Sequence, residues 1–231
     1  CPNEPGQPRS YLKGEPGVLR ANQFQFDACN QMWDRMTTLL NIGHPVDKLE
    51  IIVLGGTWES YPKPYQEEFI RDIYYSANTF FEESEARREK GSMAEERDQN
   101  RNSDCKVIGL TLETRPDTIT EESIMEFRRF GCTRIQLGIQ HIDNGILKKI
   151  NRRCTYDQVV CAIALLKNWG FKVDGHFMPN LPGSNYELDR HMLIEELLSQ
   201  TEEKEIVLKE GMEMGTGMGM GTVDELGLGI K

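Results

Sequence analysis

Glycine and polar residues follow each of four apolar runs in this sequence, and several are of types that contact small ligands. In chain order they are Gly55, Gly56, Thr57, Glu113, Arg115, Gln140, His176 and Met178. Glycine lets a backbone approach a ligand closely, while carboxylates and guanidinium groups form strong hydrogen bonds. A functional site is therefore predicted where these segments meet. A tight turn at the glycines, a surface ion pair of Glu113 with Arg115, and a core role for His176 remain alternatives.

The six cysteines do not form a metal site through their spacing. They stand at positions 1, 29, 105, 132, 154 and 161, without a close pair of the zinc-site kind. Cys132 follows a predicted helix end and Cys161 lies among apolar helix positions, so both are predicted to be buried thiols. Cys1 precedes a proline and a Gly- and Pro-rich segment, residues 1–17, that a core would not need. On spacing alone, either a ligand or no role at all is open for Cys1.

Four strand-helix pairs in series would position these residues. Strands are predicted at 49–54, 106–112, 134–140 and 171–178, and helices at 65–81, 120–130, 156–169 and about 187–198. Thr120, Ser123 and the intervening acidic pair suit a helix start, and Gly131 suits its end. The alternation predicts an α/β fold with a parallel sheet, open or curled into a barrel. Ligands of such folds bind at the carboxyl ends of the strands.

Length and composition fit one core domain with two unusual segments. The chain has 231 residues, 38% hydrophobic and 28% charged, and no run of eighteen apolar residues that would predict a membrane span. Its net charge of −10 argues weakly against a nucleic-acid partner if the charge is evenly spread. We predict one domain over 1–200, with 82–104 as a charged segment that is either a solvated helix extension or a mobile insertion. Residues 201–231 are predicted to be a disordered Glu-, Gly- and Met-rich tail.

A series of motifs, in one order, resembles the radical S-adenosylmethionine (SAM) domain of the catalytic subunit of Elongator. They are Cys1-Pro2, Gly14-Glu15-Pro16, 43–50 (GHPVDKLE), 54–57 (LGGT), 109–117 (GLTLETRPD), 131–134 (GCTR), 137–140 (LGIQ), 170–173 (GFKV) and 176–183 (HFMPNLPG). The resemblance covers roughly residues 1–198. It implies a partial parallel (βα) barrel of the radical SAM type, and we expect the chain to be incomplete at both ends.

The resemblance also implies cofactors. Members of the family hold a 4Fe-4S cluster on three cysteines, the last of which precedes a proline, so Cys1 is the implied ligand and the other two are missing from this chain. SAM is implied to contact Gly55, Gly56, Thr57, Glu113, Arg115, Gln140, His176 and Met178. Lys48 matches a position that contacts acetyl-coenzyme A, the co-substrate, with a solvated lysine as the alternative. No residue is assigned a catalytic role.

A tRNA anticodon loop is the implied substrate. Basic and aromatic residues that could grip its phosphates and stack a base are Arg9, Tyr11, Lys13, Arg20, Lys148, Lys149, Arg152 and Arg153. Each of these could instead be an ordinary solvated side chain.

The implied activity is carboxymethylation at C5 of the tRNA wobble uridine, by an acyltransferase-class radical SAM enzyme in the cytoplasm or nucleus. Other Elongator subunits are expected partners in a eukaryote, and a membrane is not. We expect residues 1–231 alone to be inactive, because two cluster cysteines and the family's acetyltransferase-like domain are missing. The alternatives are a radical SAM oxidoreductase acting on a small molecule, and a non-catalytic scaffold or remnant.

Overall fold

A five-stranded parallel sheet forms the centre of the structure, a computed structural model that describes residues 11–194 and the backbone of 224–229. The strand order is β4-β3-β2-β1-β5. The strands are β1 Lys48–Leu54, β2 Lys106–Thr114, β3 Arg134–Gln140, β4 Lys172–Phe177 and β5 Asp224–Gly229. The helices are α1 Pro16–Gln23, α2 Ala28–Asn41, α3 Lys63–Asn78, α4 Met93–Asn100, α5 Glu121–Phe130, α6 Asn144–Lys149 and α7 Tyr156–Asn168, and residues 186–194 are also helical.

The predicted α/β fold with serial strand-helix units is confirmed. Alternate strand residues such as Ile51, Leu112 and Ile135 are fully buried in one hydrophobic core with residues of α3, α5 and α7. Helix α5 begins and ends as the sequence predicts. Thr120 and Ser123 form a reciprocal capping box, and Gly131 closes the helix at a φ of +80°. All neighbouring strands pair in parallel, so their carboxyl ends share one edge of the sheet.

The charged segment 82–104, predicted to be a solvated helix extension or a mobile insertion, instead contains a separate helix with buried residues. Residues 93–100 form α4, which packs against α3. Met93 and Glu96 are both buried, and Arg88 holds the Glu96 carboxylate with two hydrogen bonds of 2.6 Å. The sequence expectation failed because one methionine and an internal ion pair anchor this helix, rather than an aliphatic stripe.

The tail and one cysteine also differ from expectation. Residues 224–229, placed in the predicted disordered tail, form β5 beside β1, whose outer edge would otherwise lack hydrogen-bond partners. The rest of 195–231 lies outside the described residues. Cys132 is buried as predicted, but Cys161 is exposed, because α7 buries the face carrying Val159, Ala162 and Leu166. Among the described residues, the helices are too short or too polar to cross a bilayer.

Candidate active site

A cavity of about 970 Å³ lies at the carboxyl ends of the strands. Six of the residues predicted for the site line it: Gly55, Gly56, Thr57, Arg115, Gln140 and Met178. Arg152 and Arg153, predicted for a different role, also line it. Its volume suits a ligand of cofactor size. The fold therefore brings together residues that lie more than 120 positions apart in the sequence.

The glycine turn after β1 forms one wall of the cavity. Gly56 has a φ of +87°, in the left-handed region that favours glycine. The carbonyl of Gly55 accepts a hydrogen bond of 3.2 Å from the Tyr61 hydroxyl. Burial raises the pKa of Tyr61 to about 12. Tyr61 therefore stays protonated and can keep donating. The turn presents backbone atoms, rather than side chains, to whatever occupies the cavity.

Glu113 joins three further segments at the end of β2. Its Oε2 accepts a hydrogen bond of 2.5 Å from the Tyr11 hydroxyl and a longer one, 3.4 Å, from the Gly56 backbone N–H. Its Oε1 lies 4.0 Å from Nδ1 of His176, a half-exposed residue of β4. Burial, followed by the Glu113 charge, raises the pKa of Tyr11 above its usual range. Tyr11 is thereby held as a donor to Glu113.

Arg115 follows β2 and is already paired. Its guanidinium makes two hydrogen bonds to the Asp117 carboxylate, of 2.8 and 2.6 Å. The two side chains form a bidentate ion pair on the cavity wall, so the partner of Arg115 is Asp117 and not Glu113, the partner weighed as an alternative from the sequence. The pair leaves Arg115 near the ligand space, with its charge already balanced.

Gln140 and Arg152 form the wall at the end of β3. Gln140 has a φ of +77°, which is unusual for a residue with a side chain, and its Oε1 is buried with no hydrogen-bond partner. Arg152 donates to the Gly138 carbonyl behind it, and its Nε is also buried without a partner. A Cβ on Gly138 would lie 3.0 Å from both side chains, so glycine leaves the room they occupy.

Glu59 is a cavity residue that sequence reasoning missed. It lies just after the glycine turn, and its Oε2 is hydrogen-bonded to the Thr114 hydroxyl at the end of β2. Its Oε1 is buried without a partner. Burial is the main reason that the pKa of Glu59 rises to about 7. The spacing to Gly55-Gly56-Thr57 was the available signal, but a glutamate in a loop ordinarily indicates a solvated side chain.

Unpartnered polar atoms concentrate around this cavity. Within the part of the chain that the structure describes, five buried side-chain nitrogen or oxygen atoms lack a hydrogen-bond partner. Three of the five belong to cavity residues, namely Glu59, Gln140 and Arg152. A second cavity, of about 650 Å³ beside α2 and α3, is lined by none of the five. Buried polar atoms are rarely left unpaired, which indicates that the first cavity receives a polar ligand.

The remaining predicted residues lie elsewhere. Lys48 begins β1 at the opposite end of the sheet, about 20 Å from the glycine turn by the rise of a strand. Arg20 of α1 is 3.7 Å from Asp34 of α2, and Lys13 is exposed two residues after Tyr11. Lys148 and Lys149 are exposed in the last turn of α6. Cys1 and Arg9 lie outside the described residues.

Neither a metal ligand set nor a cluster site is found among residues 11–194. No group of three or more His, Cys, Asp or Glu side chains is placed there to hold a metal ion. The four buried cysteines of this range, Cys29, Cys105, Cys132 and Cys154, have thiol pKa values raised mainly by burial. Burial therefore favours the neutral thiol at each of these four cysteines.

Comparison with known proteins gives one consistent answer. The Radical SAM superfamily matches residues 39–194. A tRNA uridine(34) acetyltransferase of Dehalococcoides mccartyi is 37% identical over 82% of this chain and 39% of its own length. Elongator complex protein 3 of Schizosaccharomyces pombe is 32% identical over 82% of this chain and 34% of its own. The chain thus spans less than half the length of these relatives.

A solved structure shows the same likeness. The archaeal Methanocaldococcus infernus Elp3 with an N-terminal deletion matches with a TM-score of 0.70 and 36% identity, over 76% of this chain and 39% of that one. The superfamily match over residues 39–194 includes strands β1 to β4 and the segments that line the cavity. On sequence and fold together, the chain belongs to the radical SAM superfamily.

Proposed function

We propose that the 970 Å³ cavity binds SAM and that the protein containing this chain carboxymethylates C5 of the wobble uridine of tRNA. The observation that carries the proposal is the set of three unpartnered buried atoms, on Glu59, Gln140 and Arg152, beside a turn of two glycines. Such a wall has hydrogen-bonding capacity that the protein itself does not use. The similarity to tRNA-modifying relatives supports the choice of ligand and substrate.

The chain's own residues suggest how SAM would be held. Gly55 and Gly56 would bring backbone groups against the methionine part, with the Thr57 hydroxyl nearby. Glu113 would accept hydrogen bonds from the ribose hydroxyls with the same carboxylate that accepts one from Tyr11. Gln140 would supply its free carbonyl oxygen. When bound to a 4Fe-4S cluster, SAM supplies the one-electron chemistry that activates a carbon–hydrogen bond.

The described residues fit SAM better than they fit the cluster or acetyl-coenzyme A. Cys1 is our proposed cluster ligand, and it lies outside the described residues. A contact between Lys48 and acetyl-coenzyme A would form a separate site, because Lys48 lies at the amino end of β1. His176 and Met178 would border the ligand: Met178 lines the cavity, and its backbone N–H donates to the Gln140 carbonyl at 2.8 Å.

A tRNA substrate is supported by the charge at the mouth of the cavity. Arg153 lines the cavity, and the exposed Lys148 and Lys149 lie five and four residues before it. The side chain of Lys149 lies against Gly183, next to the cavity residues Leu181 and Pro182. In a chain with a net charge of −10, such a basic cluster is a local exception. It would attract phosphates to the opening. Association with further Elongator subunits in the cytoplasm or nucleus is part of the proposal for a eukaryotic host.

The test uses the full-length gene product, reconstituted with iron and sulfide without oxygen. It is mixed with SAM, acetyl-coenzyme A, a reductant and a tRNA carrying a wobble uridine, and the nucleosides are analysed by mass spectrometry. We expect 5-carboxymethyluridine, and none with a wobble cytidine. Cleavage of SAM without a modified nucleoside, unaffected when Lys148 and Lys149 are changed to Glu, would favour a small-molecule oxidoreductase. Absence of both would favour a non-catalytic protein.

A further inference from the structure

Glu59 ends a chain of hydroxyl groups in the wall of the cavity. Its Oε2 is hydrogen-bonded to Thr114 Oγ1, which lies 2.9 Å from Thr118 Oγ1. Thr118 Oγ1 is in turn 2.8 Å from the Arg115 carbonyl oxygen. The other carboxyl oxygen of Glu59, Oε1, is buried without a partner. The contacts proposed for SAM above do not use this chain of hydroxyls.

The hydrogens of Glu59, Thr114 and Thr118 can be arranged in two ways along this series of hydrogen bonds. Each threonine hydroxyl has one hydrogen to donate. If Glu59 is protonated, it donates to Thr114, Thr114 donates to Thr118, and Thr118 donates to the Arg115 carbonyl, so every contact carries one hydrogen. If Glu59 is ionised, Thr118 donates to Thr114 and Thr114 donates to Glu59. The Arg115 carbonyl then keeps only the backbone N–H of Thr118, at 3.1 Å. The positions of the oxygen atoms are compatible with both the protonated and the ionised form of Glu59.

The protonated arrangement is favoured while the cavity is empty. Ionisation would place negative charge on Oε1, which has no donor, and a buried unpaired charge is costly. This agrees with the pKa of about 7, raised mainly by burial. Few charges around it favour ionisation: Lys63 of α3 acts from a distance, Arg115 is paired with Asp117, and Cys132 is a neutral thiol. Arg152 faces the Gly138 carbonyl.

We propose that Glu59 is a proton-coupled recognition residue for the positive charge of the bound ligand. A cationic group entering the cavity supplies the charge that the ionised carboxylate lacks. The Glu59 O–H bond then breaks, its electron pair stays on the carboxylate, one proton passes to the solvent, and the two threonine hydroxyls reverse. This inference rests on the proposed function, because SAM is the cation considered.

Isothermal titration calorimetry of the full-length protein tests the inference. SAM is titrated at about pH 6 in two buffers with different ionisation enthalpies, which gives the number of protons released. 5′-Methylthioadenosine is the matched ligand, because it keeps the adenosine and the methyl-bearing sulfur, which is now a neutral thioether, and lacks the chain that carries the α-amino and carboxylate groups. We expect close to one proton released with SAM and none with methylthioadenosine. The SAM affinity should rise by up to about tenfold per pH unit below pH 7, as expected for coupling to one proton.

Glu59→Gln, which resembles the protonated state, should bind both ligands without proton release and with a flat pH dependence. If Glu59→Gln does not fold, Thr114→Val replaces it. Loss of that hydroxyl removes a donor to the ionised carboxylate, so proton release should move to higher pH.

The outcomes separate this inference from the proposed function. Binding of both ligands with the same proton release, or wild-type release retained in Glu59→Gln, would overturn the role of Glu59 and leave the SAM site standing. Binding of neither ligand would overturn the site itself and this inference with it. If proton release is specific to SAM, S-adenosylhomocysteine identifies the charge that is recognised, because it keeps the α-amino group but has a neutral sulfur. Proton release with S-adenosylhomocysteine would identify the amino group, and its absence would identify the sulfonium.

Discussion

Two buried glutamates, Glu96 in the charged segment and Glu59 in the cavity wall, experience opposite environments. Burial acts on both by raising the pKa. At Glu96 the two bonds from Arg88, one from the Gly91 N–H at 2.8 Å and one from Asn78 at 2.9 Å outweigh burial, and its pKa is lowered. At Glu59 burial outweighs the neutral donors around it, of which the Thr114 hydroxyl contributes most, and the pKa rises to about 7. A hydrogen-bonded cation, Arg88, is present at Glu96 and has no counterpart among the causes of the pKa shift at Glu59.

The surroundings of α4 and the wall of the cavity differ in the same way. Around α4 the polar groups satisfy one another, and the unpartnered Nε of Arg87 belongs to a guanidinium stacked 3.9 Å above the Trp33 ring. Around the cavity, three residues keep unpartnered atoms. The first region is a closed, structural network. The second keeps capacity for a ligand.

Breaking the closed network should give the largest effect. Arg88→Ala would leave Glu96, fully buried, without its cation, and removing one partner of a buried ion pair typically costs about 3 to 5 kcal/mol. Since Glu96 keeps two other donors and Arg88 is 34% exposed, we expect urea unfolding to show a loss of stability of about 3 kcal/mol, at the lower end of this range. Arg101→Ala removes an exposed pair with Asp98 and should cost less than about 0.5 kcal/mol. Equal losses in the two variants would contradict the comparison.

Much of the fold could be predicted from the sequence because its signals are local. Apolar runs such as 49–54 mark buried strands, and the Thr120 start and Gly131 end of α5 depend on neighbours within one turn. Helix α4 escaped prediction because Glu96 is paired with Arg88 eight residues away, which no hydrophobic period records. Strand β5 escaped because its pairing with β1 depends on an edge more than 170 residues away.

The site divides in the same way. The glycines and polar residues after the strands could be predicted, because parallel strands end at one edge. Glu59 could not, because its partner Thr114 lies 55 residues away and only the fold makes it a buried acid. Arg152 could be predicted as basic, but not as a half-buried wall residue bonded to Gly138.

The pH dependence of stability sharpens the contrast at Glu59. An acid with its pKa raised from 4.5 to about 7 holds a proton in the folded state that the unfolded state releases. Its contribution to stability is therefore full below about pH 4.5 and is lost as pH rises to about 7, by up to about 3 kcal/mol. Urea unfolding from pH 4.5 to 7.5 should show this component. Glu59→Gln should remove it, and Glu122→Gln, at an exposed position of α5, should leave it.

A third test adds a methyl group at Gly138, behind the cavity wall. Alanine at Gly138 would put its Cβ 3.0 Å from Arg152 Nη2 and Gln140 Nε2, so both side chains must shift. We expect SAM affinity to fall by about tenfold, with a stability loss of about 1 to 2 kcal/mol from overpacking. Gly14→Ala, whose Cβ would meet nothing within 4 Å, should change neither. Undiminished SAM binding by Gly138→Ala would mean that the unpartnered atoms of the wall are not used by the ligand.

The smallest effect concerns the exposed charges at the cavity mouth. Lys148 is exposed in the last turn of α6, and Lys172 is exposed at the amino end of β4, where the sheet's opposite edge begins. If phosphates bind at the mouth, Lys148→Gln should weaken tRNA binding a few-fold. It should also reduce the slope of log affinity against log salt by about 0.7 to 0.9, one phosphate contact. Lys172→Gln should leave both unchanged. Equal losses of tRNA affinity in Lys148→Gln and Lys172→Gln would mean that tRNA responds to surface charge in general, and not to the edge of the sheet where the strands end and the cavity lies.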